Sequence, residues 1–209
     1  MNKTILVLAP HTDDGELGCG GTIAKLTQEG NQVIYVAFSA AESSVLPAFP
    51  SDILRDEVKL ATQVLGVKYD DCLVFNFEVR RFPDQRQEIL DKLIYLGKKY
   101  SPDIVFLPSS NDTHQDHHVI AHEGFRAFKR TTMLGYELPW NNLDFRTSCF
   151  ICLSESDVNS KTRALHCYNS QAHRDYFSES FIKSWLVTRG AQIGKQYAEA
   201  FEVIRWVIN

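Results

Sequence analysis

Two short clusters of histidine and aspartate carry the side chains best suited to chemistry. They are His11-Thr12-Asp13-Asp14 and His114-Gln115-Asp116-His117. Imidazole nitrogens and carboxylate oxygens are ligands that Zn²⁺ accepts in proteins. A His and an Asp from the first cluster, with one His from the second, would give three protein ligands and leave a fourth position open for water. That is the arrangement of a catalytic zinc site, and a free carboxylate beside it is a natural general base.

The first cluster alone admits a purely structural explanation. Aspartate is common at the start of helices, where it accepts hydrogen bonds from free backbone N–H groups. The second cluster favours the metal site, because three histidines and an aspartate fall within residues 114–118. A carboxylate beside a histidine commonly orients it as a ligand or an acid. Together the two clusters predict a metal-dependent hydrolase.

Each cluster follows an apolar, strand-like segment that ends in proline. These segments are residues 5–10 and 104–108. Proline cannot donate to a β-ladder, so both clusters are predicted to lie where strands end. Ligands of open α/β sheets bind beyond the carboxyl ends of the parallel strands, where the loops converge. Clusters far apart in the sequence can therefore meet at one edge of a sheet.

The elements that must position these clusters alternate along the chain. Strands are predicted at residues 32–39, 72–77 and from 104, and helices at residues 16–29, 51–66 and 84–100. This alternation predicts an α/β fold with a Rossmann-like, doubly wound, mostly parallel sheet in three layers. The active site is expected at the C-terminal edge of the strands. Beyond residue 130 we expect strands near 134–138, 148–153 and 201–207 and helices near 157–168 and 179–189.

The composition predicts one domain over residues 1–209. Of these residues 44% are hydrophobic, enough for one sizeable core. The net charge of −4, without basic runs, indicates neither a nucleic-acid nor a membrane-surface partner. No apolar stretch approaches the ~20 residues that span a bilayer, and no signal pattern opens the chain. We therefore expect a cytoplasmic protein without stable membrane insertion. Whether it forms a homo-oligomer stays open.

Two further patterns favour structural roles. The five cysteines form an odd, scattered set, which predicts reduced, buried thiols rather than a disulfide framework. Cys149 and Cys152 have C-x-x-C spacing, but they lie in a strand-like segment without a second Cys or His pair nearby. The glycines of residues 15–21 could suggest a dinucleotide loop, but the two preceding aspartates would repel phosphate. Close packing of a helix on the sheet explains these glycines better.

Longer motifs surround the two clusters. They are Ala9 through Asp14 with residues 18–22, Pro108 followed by residues 112–117, Arg55-Asp56-Glu57 with residues 65–67, residues 161–171, and residues 189–201. These motifs resemble the LmbE-like, or PIG-L, zinc deacetylases over most of the chain. Thr12 stands where the family usually has proline, and Gly15 where a bulkier or acidic residue is common. Neither departure removes a ligand.

The resemblance implies roles for the clustered residues and an activity. His11, Asp14 and His117 would bind zinc, or ferrous iron, which the same ligands serve. Asp13 would be the general base. His114, oriented by Asp116, would be protonated, stabilise the oxyanion and help to protonate the leaving amine. The substrate would be a small N-acetylated sugar such as an N-acetylglucosamine derivative or its conjugate, and the products acetate and a free amino sugar.

Three arginines are candidates for substrate binding. Arg55 resembles a family arginine, and Arg80 and Arg81 belong to a loop expected to overhang the site. A guanidinium binds phosphate or carboxylate through two parallel hydrogen bonds, which predicts an anionic or nucleotide-linked sugar. The alternative is that some of them only form surface ion pairs, which contribute little. The segment from Tyr136 to Trp140 is a candidate aromatic wall for a sugar ring, although aromatic residues near a strand end are more often core.

Two alternatives from other classes stay open. The chain could be a zinc-dependent amidase that acts on a non-sugar N-acyl substrate, because the site is defined by the bond that is cleaved. It could also be a sugar-binding module without turnover. The presence of a spare carboxylate beside the predicted ligands disfavours the second alternative, since a non-catalytic protein has no need of a base.

Overall fold

The protein is described here as a computed structural model covering residues 2–208, built around one seven-stranded sheet in the order β3-β2-β1-β4-β5-β7-β6. The strands are β1 (Thr4–His11), β2 (Gln32–Ser39), β3 (Cys72–Val74), β4 (Ile104–Pro108), β5 (Thr132–Tyr136), β6 (Cys149–Leu153) and β7 (Tyr197–Arg205). Strands β1 to β5 pair in parallel, whereas β7 runs antiparallel to both β5 and β6. The predicted mostly parallel α/β sheet is confirmed.

Helices cover both faces of the sheet. They are α1 (Asp14–Gln28), α2 (Ile53–Val64), α3 (Arg86–Tyr100), α4 (Gln115–Ala127), α5 (Glu155–Leu165) and α6 (Glu179–Ala191). Alternate residues of a strand point to opposite faces. Accordingly, Val7 of β1 packs in the core formed with α1, α2, α5 and α6, and its neighbour Leu8 in the core formed with α3 and α4. Among residues 2–208, no helix combines the length and apolarity needed to cross a membrane.

The main departures from the predicted elements lie in the second half of the chain. Helix α5 begins earlier than expected because Ser154 and Asp157 form a capping box, in which each side chain accepts a hydrogen bond from the backbone N–H of the other. Strand β7 begins at Tyr197, four residues before the predicted start. All five cysteines are free, and the expectation of buried thiols is confirmed for Cys19 and Cys72. It is wrong for Cys152, which is exposed on the partly covered edge strand β6, and Cys149 and Cys167 are only partly buried.

Helix α1 is broken at Cys19, whose φ of −146° is not helical. Two side chains from later elements bond to the backbone on either side of the break. Lys161 Nζ donates to the carbonyl oxygen of Leu17 at 2.6 Å. Glu199 accepts from the N–H of Gly21 at 3.0 Å and from that of the next residue at 2.7 Å. The cation thus lies at the C-terminal end of one half-helix and the carboxylate at the N-terminal end of the other, as the helix dipole favours.

The glycines of α1 allow its close approach to the sheet. A Cβ on Gly18 would overlap the ring of Tyr136, and one on Gly21 would overlap the side chain of Leu153. The structure therefore confirms close packing as the explanation of these two glycines.

Candidate active site

The two clusters meet at the carboxyl ends of β1 and β4. His11 is the last residue of β1, and Asp14 begins α1. His114 caps α4 from the loop after β4, and His117 lies in the first turn of that helix. Strands β1 and β4 pair in parallel as neighbours, so their carboxyl ends share one edge of the sheet. The predicted meeting of the two clusters is confirmed.

Three candidate ligand atoms converge at this edge. His11 Nδ1 lies 3.1 Å from Asp14 Oδ2, and His117 Nε2 lies 3.2 Å from the same oxygen. The two nitrogens are 3.3 Å apart. Two ligands held tetrahedrally at about 2.05 Å from one ion are roughly 3.3 Å from each other. The three atoms therefore have the spacing that one divalent ion would require.

The charges of the site also fit a cation. Burial lowers the pKa of His117, but attraction by Asp14 and a hydrogen bond to Asp112 outweigh it and raise this pKa to about 10. Burial likewise opposes a charge on His11, but hydrogen bonds to Asp116 and Asp14 raise its pKa. The carboxylates thus hold a proton on His117 and stabilise a positive charge on His11. A divalent ion would replace such protons, because metals bind imidazole in its deprotonated form.

A third histidine, His114, lies beside these ligands. One nitrogen from each of His11, His114 and His117 lies within 4.8 Å of the others, a wider spacing than that of the three atoms above. His114 Nδ1 accepts the backbone N–H of Asp116 at 3.2 Å. In a neutral ring the proton must then lie on Nε2, the nitrogen still free. This arrangement favours His114 as a hydrogen-bond donor beside the ion rather than as a ligand.

The surroundings of His114 favour a neutral ring over the protonated ring that the resemblance implies. Burial, together with the positive charges of His117 and His11, lowers the pKa of His114 to about 4. The imidazole is therefore neutral near pH 7. A neutral ring still donates a hydrogen bond through Nε2–H, so it can stabilise a negative charge that develops next to it.

The resemblance implied that Asp116 orients His114, but in the structure Asp116 orients His11. Its Oδ2 lies 2.9 Å from His11 Nε2 and accepts the backbone N–H of Arg80 at 2.6 Å. Its Oδ1 accepts the N–H of Phe82 at 3.3 Å. Side chains two residues apart at a helix start point in different directions, so Asp116 cannot face His114. It acts instead on a candidate ligand.

The matching partner of His117 is Asp112, a residue to which the sequence analysis gave no role. Asp112 Oδ2 lies 2.8 Å from His117 Nδ1, and Oδ1 accepts the N–H of His114 at 2.8 Å. Each candidate histidine ligand therefore has a carboxylate on its second ring nitrogen, the usual way in which a protein fixes a metal-binding imidazole. The position of Asp112 two residues before the second cluster was the signal that could have identified it.

Asp13 of the first cluster lines the same pocket as His114 and His117 of the second. It occupies the N-cap position of α1, but its side chain makes no capping hydrogen bond. Burial and the negative charge of Asp14 raise the pKa of Asp13 to about 6. A carboxylate with a raised pKa is a stronger base and is still mostly ionised at neutral pH. These properties suit the base predicted from the sequence.

A buried network supports the turn that carries Asp13. The hydroxyls of Tyr35 and Tyr168 lie 2.8 and 2.7 Å from the carbonyl oxygen of Thr12. Both hydroxyls also contact the carboxyl group of Glu16. Burial raises the pKa of Glu16 to about 8, so this group is mainly protonated at pH 7. No sequence signal marked this network, because its members lie in separate elements and form no single motif.

The site opens into a pocket of about 610 Å³, within the size range of small-molecule sites. Trp140 and Tyr176 line it and stack with their ring centroids 4.1 Å apart and their planes at 12°. The flat faces of such a pair suit the apolar face of a sugar ring. Trp140 of the candidate aromatic wall therefore lines the pocket, whereas Tyr136 is buried in the core.

Of the three predicted substrate arginines, the structure places only Arg80 in the pocket. Arg55 pairs with Glu42 at 2.6 Å, and Arg81 forms an exposed pair with Asp84 at 3.5 Å. The ion-pair alternative describes these two. Arg174, which no sequence signal marked, does line the pocket.

Comparisons with known proteins agree with this geometry. Residues 6–128 match the PIG-L family, described as GlcNAc-PI de-N-acetylase. The diacetylchitobiose deacetylase of Thermococcus kodakarensis is 26% identical over an alignment of 228 positions. The alignment covers 97% of this chain and 83% of the relative.

Solved structures give the same fold. The N,N'-diacetylchitobiose deacetylase from Pyrococcus horikoshii superposes with a TM-score of 0.82 at 23% identity, covering 97% of this chain and 84% of that one. GalB, the 4-carboxy-2-hydroxymuconate hydratase from Pseudomonas putida KT2440, superposes with a TM-score of 0.80 at 19% identity, covering 99% and 98%. One fold thus serves both a deacetylase and a hydratase, so the reaction must be argued from the site.

Proposed function

Because the chain belongs to the PIG-L family, we propose that it is a metal-dependent deacetylase that removes the N-acetyl group from an amino sugar or its conjugate. The products are acetate and the free amine. The observation that carries this proposal is the convergence of His11, Asp14 and His117 beside Asp13 in one pocket. The relatives named for diacetylchitobiose deacetylation support a sugar as the acceptor.

We assign His11, Asp14 and His117 as the ligands of a divalent ion, zinc or ferrous iron. Their mutual spacing supports this assignment, and so do the carboxylates that stabilise a positive charge on the two imidazoles. When bound, such an ion supplies Lewis acidity, which polarises the acyl carbonyl and acidifies water. Asp112 and Asp116 position the two histidines for this role.

The side chains around this position account for the proton transfers. Asp13 accepts a proton from the water that attacks the carbonyl carbon, and its pKa of about 6 suits a base at neutral pH. The negative charge that develops on the carbonyl oxygen accepts a hydrogen bond from Nε2–H of His114. Protonated Asp13 then donates its proton to the amine nitrogen as the C–N bond breaks. This sequence of steps needs no cationic His114.

The test is acetate release from a panel of N-acetyl sugars and simple N-acyl amines. The panel is assayed with zinc-loaded, iron-loaded and chelator-treated protein, with metal content measured in parallel. We expect metal-dependent acetate release from at least one N-acetyl sugar. Release only from non-sugar amides would favour the amidase alternative. No release from any amide by protein that holds one ion per chain would overturn the proposal. The cytoplasmic location stays a prediction, and the oligomeric state stays open.

A further inference from the structure

The backbone of Arg80 is in an unusual conformation. Its φ of +67° lies in the left-handed region, which residues with a Cβ rarely adopt. The conformation directs the N–H of Arg80 to Asp116, 2.6 Å away, and that of Phe82 to the same carboxylate. Glycine would make these bonds without a steric penalty. An arginine at this position therefore indicates a role for the side chain itself.

The side chain of Arg80 lines the pocket without an ion-pair partner. Its Nη2 donates to Ser44 Oγ at 2.7 Å. Over residues 2–208, no carboxylate oxygen lies within 4.0 Å of its guanidinium. The next residue, Arg81, does have a carboxylate partner in Asp84. The charge of Arg80 is thus available to a molecule in the pocket.

Arg174 is a second cation of this kind. It lines the same pocket, and its Nη1 donates to the hydroxyl of Tyr176 at 2.5 Å. Its Nε is buried and has no hydrogen-bond partner in the described part of the chain. No carboxylate there forms an ion pair with it either. A buried donor without a partner destabilises the protein until an acceptor forms a hydrogen bond with it.

We propose that Arg80 and Arg174 form an anion-binding subsite of the pocket, and that the substrate is an N-acetyl amino sugar bearing a phosphate or carboxylate group. This inference rests on the proposed deacetylase function. The amide of the substrate lies at Asp13 and His114, and its anionic group accepts hydrogen bonds from the two guanidinium groups. Guanidinium binds either anion through paired hydrogen bonds, so the chemistry of the subsite fits both sources of charge.

The kinetic test compares N-acetylglucosamine, its 6-phosphate and N-acetylmuramic acid with the metal-loaded wild type. We expect kcat/KM for one of the two anionic sugars to exceed that for the neutral sugar about tenfold or more. This is the effect on binding expected from one hydrogen bond to a charged group. The preferred derivative identifies phosphate or carboxylate. Arg80→Gly and Arg174→Met should each lower this preference about tenfold, mainly through KM.

Two variants serve as controls. Ser101→Gly relieves another left-handed backbone, with a φ of 46°, away from the pocket, and Arg81→Met removes the neighbouring paired arginine. Both should keep the wild-type preference. Arg80→Gly should keep or raise the melting temperature, as Ser101→Gly should, which separates loss of the side chain from loss of the fold.

Equal turnover of neutral and anionic sugars by the wild type would overturn the subsite and leave the deacetylase function standing. A preference that survives in both arginine variants would also overturn it. If no sugar releases acetate, the proposed function fails and binding decides the subsite. Calorimetry should then detect N-acetylglucosamine 6-phosphate or N-acetylmuramic acid binding to the wild type, and weaker binding to Arg80→Gly. No binding of either compound would overturn the subsite as well.

Discussion

Asn in place of Asp116 tests whether this carboxylate orients a metal ligand. Asp116 is fully buried and faces three donors, namely Nε2 of His11 and the N–H groups of Arg80 and Phe82. The Asp116→Asn variant keeps the shape but replaces one acceptor oxygen by an NH₂ group, so at least one donor faces another donor. Such an unsatisfied buried group costs about 1–3 kcal/mol of folding free energy. Partners that orient a metal-binding histidine typically contribute about 10–100-fold to affinity. We therefore expect the metal Kd to rise about 10–100-fold, which weakens the binding free energy by about 1.4–2.7 kcal/mol.

The assay is a competition titration against a chromophoric chelator, combined with chemical unfolding of the metal-free protein. Glu123→Gln is the matched control, because Glu123 is a fully buried carboxylate on the same helix. It pairs with Arg86 and Arg126 and with none of the candidate ligands. This control should lose stability and keep its metal affinity. A folded Asp116→Asn protein with a metal Kd within about twofold of wild type would refute the reasoning.

Three further predictions concern charge. Asp13→Asn should lower kcat about 10²–10⁴-fold at unchanged metal content, and wild-type turnover would remove Asp13 as the base. Metal binding at pH 8 should release about one proton from His117, whose pKa is about 10. Calorimetry in buffers of different ionisation enthalpy measures this release, and a heat that does not depend on the buffer would contradict it. The pKa of Glu16 rises from 4.5 to about 8, so its stabilising contribution is complete below pH 4.5 and is lost as the pH rises through 8. The free energy of unfolding of the metal-free wild type should fall relative to that of Glu16→Gln by up to ~1.4 kcal/mol per pH unit in this window, and parallel curves would exclude the effect.

The sequence predicted the positions of the site better than its contacts. Proline-terminated strands and their alternation with helices indicated that His11 and His117 meet, because neighbouring parallel strands end at one edge. The pairing of each carboxylate with a histidine depends on the rotation of the first turn of α4, where one residue turns the side chain by about 100°. The apolar pattern does not determine that rotation.

The residues that the sequence did not identify belong to irregular segments. Arg174 lies between short helical turns after α5, and the packing of distant elements places it in the pocket. Arg80 was identified because its loop follows a strand, but its left-handed backbone depends on the contact with Asp116. The single domain over residues 1–209 stays a prediction, and Met1 and Asn209 lie outside the described residues.

The broken helix α1 limits how far this site can be treated as a transferable module. Every proposed metal ligand lies within residues 6–128, the part that matches the family. The helix that presents Asp14 is nevertheless completed by Lys161 and Glu199, which belong to α5 and β7. A chimera that exchanged the second half of the chain would have to supply both charges at the same places, or restore an unbroken helix. Grafting this active site onto another protein would therefore require transfer of the whole sheet together with the helices that carry these residues.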